Sequence, residues 1–122
     1  MIAVIFEVEM KDGQGARYFD LAASLRPELA KIDGFISVER FESLTNKGKY
    51  VSLSFWRDEE AVKAWRAHAG HQAVQALGKA EIFKDFRIRV ATVLRDYGTK
   101  DWAAGAASPH AEGDDAKMLR RA

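Results

Sequence analysis

Trp65, His68 and His71 stand close together in a chain that has three histidines and no cysteine. An imidazole that is neutral near pH 7 can take a proton from an acidic C–H or O–H group. An indole beside it gives an aromatic ligand a flat apolar wall. Arg40 and Arg87, both on alternating segments, are the candidates to hold an anion, because a guanidinium binds it with two parallel donors. The lack of cysteine removes thiolate catalysis, thiolate metal sites and disulfides together. A metal site built on His68 and His71 needs at least one more ligand, usually a carboxylate. None stands beside them in the sequence, so no metal is assigned. His71 has two readings, a helix-start residue bonding backbone or a pocket base. No glycine-rich phosphate loop, Walker motif or GxSxG element is present, which leaves nucleotide chemistry and serine hydrolysis without support.

The elements that must position these side chains follow from periodicity. Residues 2–10 set Ile2, Val4, Phe6, Val8 and Met10 against Ala3, Ile5, Glu7 and Glu9, a period of two that predicts a strand. After the turn at 11–15, Tyr18, Leu21, Ala22, Leu25, Leu29 and Ile32 recur at helical spacing to about residue 32, with a bend expected at Pro27. Asp33-Gly34 ends that helix. Two strands near 35–43 and 49–57 are joined by Thr45-Asn46-Lys47-Gly48, a hairpin turn. Asp58 is the expected N-cap of a second helix, with Glu59 and Glu60 in its first turn and Val62, Trp65 and Ala69 on its buried stripe. Gly70 is expected to break this helix, which resumes over 71–84. Residues 85–96 alternate again as a last strand. The order is β-α-β-β-α-β, an α+β domain over residues 1–97. Residues 98–122 lack any period and are expected to form a flexible tail.

The bulk numbers agree with one domain. The chain has 122 residues, 48% of them apolar and 30% charged, and its 19 basic residues nearly balance 18 acidic ones. That balance gives no electrostatic reason to expect nucleic acid or an anionic membrane as a partner. The N-terminal segment is an alternating strand rather than a basic and then apolar leader, so a cytoplasmic location is expected. Neither strand face is cleanly polar: Ile5, Ile36, Val38, Ala91 and Val93 oppose or flank other apolar positions. A sheet face of that kind is rarely left wet in a monomer, and a two-fold homodimer is the simplest cover. Glu7 and Glu9 are expected opposite Arg87 and Arg89, as cross-strand ion pairs.

The run from Ser52 to Arg66 (SLSFWRDEEAVKAWR) ends a strand in Trp56, starts a helix with acids and places Trp65 nine residues later. Together with Asp33-Gly34-Phe35 before a strand, it resembles the antibiotic biosynthesis monooxygenase family over residues 1–97. The resemblance implies a ferredoxin-like subunit with an antiparallel sheet, paired into a dimeric α+β barrel, with a pocket between sheet and helices. Some members oxygenate polycyclic phenols or quinols with dioxygen and no metal or flavin. Others degrade haem with an Asn on the first strand, a Trp on the second helix and an iron-binding His. Here Trp65 matches the Trp, the Asn position falls on Phe6 or Val8, and the His position falls on Gln75, so haem degradation by that scheme is not expected.

Three functions follow. The first is a small cofactor-independent monooxygenase for an aromatic, phenolic or quinol-like substrate, with His71 and Arg87 (or Arg40) catalytic and Phe6, Val8, Trp65, His68 and Gln75 in the pocket. The second is a binding module of the same fold with an apolar ligand and no chemistry. The third is a haem-binding protein using His68 or His71.

Overall fold

The structure, a computed structural model, describes residues 1–103. The described residues part into two units, Met1–Thr92 and a second that begins at Val93. The first holds β1 (Ile2–Met10), α1 (Gly15–Ala30), β2 (Phe35–Glu42), β3 (Lys49–Trp56), α2 (Glu59–Ala67), α3 (Ala69–Leu77), a π-helical turn (Gly78–Ile82) and β4 (Phe83–Thr92). The expected α+β order is thus present, with the last strand starting two residues earlier than its alternation suggests. The second unit contains the short helix α4 (Thr99–Ala103), where the Asp101 carboxylate accepts the Gly98 N–H at 2.7 Å. The segment expected to be a flexible tail thus begins with one short helix. The rest of the expected tail lies outside the described residues.

The four strands form one antiparallel sheet in the order β2-β3-β1-β4. Alternation then assigns every side chain to a face. Ile2, Val4, Phe6 and Val8 of β1 share the helix-covered face with Ser52, Ser54 and Trp56 of β3, Val38 and Arg40 of β2, and Phe86, Ile88 and Val90 of β4. Ala3, Ile5, Glu7, Val51, Leu53, Phe55, Arg87 and Arg89 share the other. Val38 therefore belongs under the helices, because the register shifts between Phe35 and Ser37.

The apolar residues under the helices pack as two clusters. Ile2, Leu29, Trp56, Ala61 and Val62 form one, and Phe6, Val8, Tyr18, Ile82 and Phe83 form the other. Both include residues from the sheet and from the helical layer, and a gap runs between them. Trp56, the largest fully buried side chain, satisfies its indole N–H on Ser54 Oγ at 2.9 Å.

Local chemistry fixes the helices that roof this gap. The Asp58 carboxylate accepts the Ala61 N–H at 3.0 Å and caps α2, as its sequence promises. The break after α2 falls at His68, whose ψ of 125° is extended, and not at Gly70. Gly70 is the second residue of α3, and its reason is space: a Cβ there would lie 3.0 Å from the His68 ring. Gly78 is a second close approach, since a Cβ would meet the Phe83 ring at 2.5 Å. The Phe83 N–H closes the π-turn on the Gly78 carbonyl and returns the chain to β4.

Candidate functional site

The gap between the two clusters is a cavity of about 170 Å³ between sheet and helices. Val4 and Phe6 of β1, Val38 and Arg40 of β2, Ser52 and Trp56 of β3 line its floor. Leu25 and Leu29 of α1, Trp65 of α2, and His71, Val74 and Gln75 of α3 close its roof. Ile88 and Val90 of the edge strand β4 line one flank and are each about half exposed, so that flank faces solvent. Among the described residues no carboxylate lines the cavity, whereas two arginines, Arg40 and Arg66, do. Its walls are apolar and its charge is positive.

Among the described residues, the buried side-chain polar atoms without a hydrogen-bond partner are Arg40 Nε and His71 Nδ1. Both belong to residues lining this cavity. Buried polar groups are almost always paired in folded proteins, so two orphans on one cavity mark a place built to meet polar atoms of a ligand or water. Arg40 also lies over the Tyr18 ring, 5.7 Å from its centroid, a cation–π contact that steadies the guanidinium without neutralising it. His71 stacks on Trp65 with ring centroids 4.7 Å apart. Burial holds the His71 imidazole below its usual range; the Trp65 backbone opposes this, and the nearby His68 adds to it. A neutral His71 at pH 7 follows.

Of the residues expected in the site, Phe6, Trp65, His71, Gln75 and Arg40 meet at the cavity. Three do not. Val8 is 1% exposed and packs in the core beside Tyr18 and Ile82, because β1 runs out from under the cavity at its C-terminal end. Arg87 stands opposite Glu7 on the helix-free face, since one step along β4 reverses the side chain. The ion pair there is diagonal: Glu7 takes Arg89 at 2.6 Å and Lys49 at 3.7 Å, while Glu9 stands opposite Asp85. His68 fills the role weighed for His71. Its Nδ1 accepts the Gly70 and His71 N–H groups at 3.1 and 3.3 Å and caps α3. Ser52 and the β4 flank join the expected site residues through the strand register, and Val74 through its place on α3 one turn from His71. Among the described residues, no group of three or more His, Asp or Glu side chains is placed to hold a metal ion. No helix among them is long and apolar enough to cross a membrane.

Known proteins share both the sequence and the fold. A protein of Pyricularia oryzae named jasmonate monooxygenase ABM is 46% identical over 93 residues, 76% of this chain. The match spans 43% of that protein's length. The protein YqjZ of Bacillus subtilis is 30% identical over 93 residues, covering 76% of this chain and 79% of its own. The crystal structure of SnoaB, described as a cofactor-independent oxygenase from Streptomyces nogalater, superimposes with a TM-score of 0.67 at 15% identity. That superposition covers 78% of this chain and 94% of SnoaB and reports on fold alone. Residues 1–77 match the family described as antibiotic biosynthesis monooxygenase, and the chain belongs to that family.

Proposed function

We propose that this domain is a monooxygenase that works without a bound cofactor on a small aromatic substrate of the phenol or quinol class. The observation that carries the reading is the pairing of a neutral, unpartnered His71 Nδ1 with an unpartnered Arg40 Nε on one apolar cavity. His71 takes the proton of the phenolic O–H, and Arg40 faces the anion that results. The anion is electron-rich enough to reduce dioxygen itself. For a naphthohydroquinone the balance is one substrate plus one O₂ to one hydroxynaphthoquinone plus one water. One oxygen atom enters a ring C–H bond as hydroxyl, the other leaves as water, and the substrate supplies all four electrons. Size supports one or two rings: a cavity of about 150 Å³ accommodates benzene, and the open β4 flank leaves room for a second ring. The relative from Pyricularia is named for a jasmonate, and the positive, carboxylate-free lining suits an anionic ligand of that kind too.

The test is oxygen uptake over the uncatalysed rate with a naphthohydroquinone, without added metal or flavin. Turnover is expected to fall by about 10²–10⁴ in His71→Ala, the range for loss of a general base. Arg40→Met should lower turnover at unchanged fold, because it removes the charge that faces the substrate anion. Binding of the ligand with no oxygen uptake would replace this reading by a non-catalytic binding module. The active form is proposed to be a homodimer paired through the helix-free face, where Ile5, Val51, Leu53 and Phe55 lie together.

A further inference from the structure

α3 carries three of the cavity's roof residues, yet none of its nine residues is fully buried. A helix this short gains little from its own hydrogen bonds and depends on what ties its ends. Its C-terminal end runs into the π-turn and the buried Ile82. At its N-terminal end, the tie is His68. The ring's Nδ1 accepts two backbone N–H groups, one of them that of His71 itself. An acceptor Nδ1 places the ring proton on Nε2, which points at the Glu28 carboxylate of α1, 3.6 Å away. The face of the same ring lies against Trp65, centroids 5.2 Å apart, and Trp65 in turn stacks on His71. Gly70 is fitted to this arrangement, its missing Cβ leaving the space that the His68 ring occupies.

We infer that His68 is the positioning residue for His71: by capping α3 and bracing Trp65 it holds the His71 imidazole in the cavity. His68 itself is not among the residues that line the cavity. The inference deepens the catalytic reading of His71, and its first test is independent of any reaction.

That test follows the histidine ring resonances by NMR against pH in the full-length protein and in His68→Ala, His68→Asn and Gly70→Ala. Asparagine is among the best N-cap residues and restores an acceptor for the α3 amides, whereas alanine does not. Both His68 substitutions remove the second imidazole from beside His71, so the difference between them reads the cap alone. In His68→Ala the His71 titration is expected to move up toward the ordinary imidazole value, with loss of the cross-relaxation between His71 and Trp65. In His68→Asn the cross-relaxation should persist and the titration should stay closer to that of the parent. If His68→Ala does not fold, Gly70→Ala provides the comparison, because its Cβ would lie 3.0 Å from the His68 ring and press on it with the histidine still present. Identical His71 titration and intact Trp65 contacts in the alanine and asparagine variants would overturn the inference, as would an unmoved His71 in Gly70→Ala. Where oxygen uptake is observed, His68→Ala should lower kcat by roughly 10–100-fold with little change in KM, as expected for misplacement of a reacting group. The asparagine variant should recover most of it. A failure to find any oxygenated substrate would leave the NMR result standing.

Discussion

At the scale of single residues, the site turns on how differently two neighbouring histidines are used. His68 spends its lone pair on backbone amides, while His71 keeps Nδ1 unpaired inside an apolar cavity. The second arrangement has a consequence for pH. Burial lowers the folded-state pKa of His71 below its unfolded value, so the unfolded chain binds the proton first as pH falls. The associated stability is fully present above about pH 6.5, the ordinary imidazole value, and is lost as pH drops through the lower folded value. Thermal unfolding should therefore show a His71-dependent loss beginning near pH 6.5 that is absent in His71→Gln. The carboxylates of Glu7, Asp33 and Asp58 act in a separate, more acidic window. Arg89 holds Glu7 down, Arg57 holds Asp33 down, and the Ala61 amide with Arg57 holds Asp58 down. Oxygen uptake should follow the same sign, with one acid limb below the ordinary imidazole range, since only unprotonated His71 accepts a proton. An acid limb unchanged in His71→Gln would assign it to another group.

At the scale of elements, the glycine joints set how closely neighbouring elements approach. The joint between α1 and β2 is the clearest case. Gly34 has φ +92°, and a Cβ there would lie 2.8 Å from Ala61 Cβ at the start of α2. The Gly34 carbonyl accepts the Arg57 N–H at 2.7 Å, and the Arg57 guanidinium forks onto Asp33 at 3.2 and 3.0 Å. Gly34→Ala thus meets both a backbone penalty and a clash, and a loss on the order of 3 kcal/mol is expected in chemical denaturation. Gly48 makes the control. Its φ is +87°, but nothing lies within 4 Å of an added Cβ. Gly48→Ala should cost only the backbone term, about 1–2 kcal/mol. Equal losses for the two would mean that the α1–β2 joint yields to the extra methyl group.

At the scale of the whole molecule, the proposed homodimer rests on one face of the sheet. Its helix-free face carries Ile5, Val51, Leu53 and Phe55, with Phe41 47% exposed beside them, around the ion pairs of Glu7 with Arg89 and Lys49. An apolar surface of this extent with charges in its midst is suited to a two-fold partner that presents the same pattern. Sedimentation at micromolar concentration is expected to give twice the 13.6 kDa mass of one chain. Leu53→Glu should shift it to the monomer, and because Leu53 points away from the cavity, the His71 titration should remain in place. A parent protein that sediments as a monomer would remove the dimer from the functional reading.

The sequence by itself determined the element order and most element bounds, because alternation and helical spacing are local properties that survive without neighbours. It also determined the Asp58 cap and the Gly34 joint, whose signals are single residue types at fixed offsets. It brought Trp65 and His71 forward through the run from Ser52 to Arg66 and the histidines after it. Other assignments needed the tertiary structure. Arg40 rather than Arg87 reaches the cavity because strand register, and the shift near Ile36, sets which residues share a face. Val8 leaves the site because the cavity ends where the second core cluster begins. His68 and His71 look equivalent as letters three apart. They separate only when the chain turns between α2 and α3, directing one ring onto the backbone and the other into the gap between the two halves of the core.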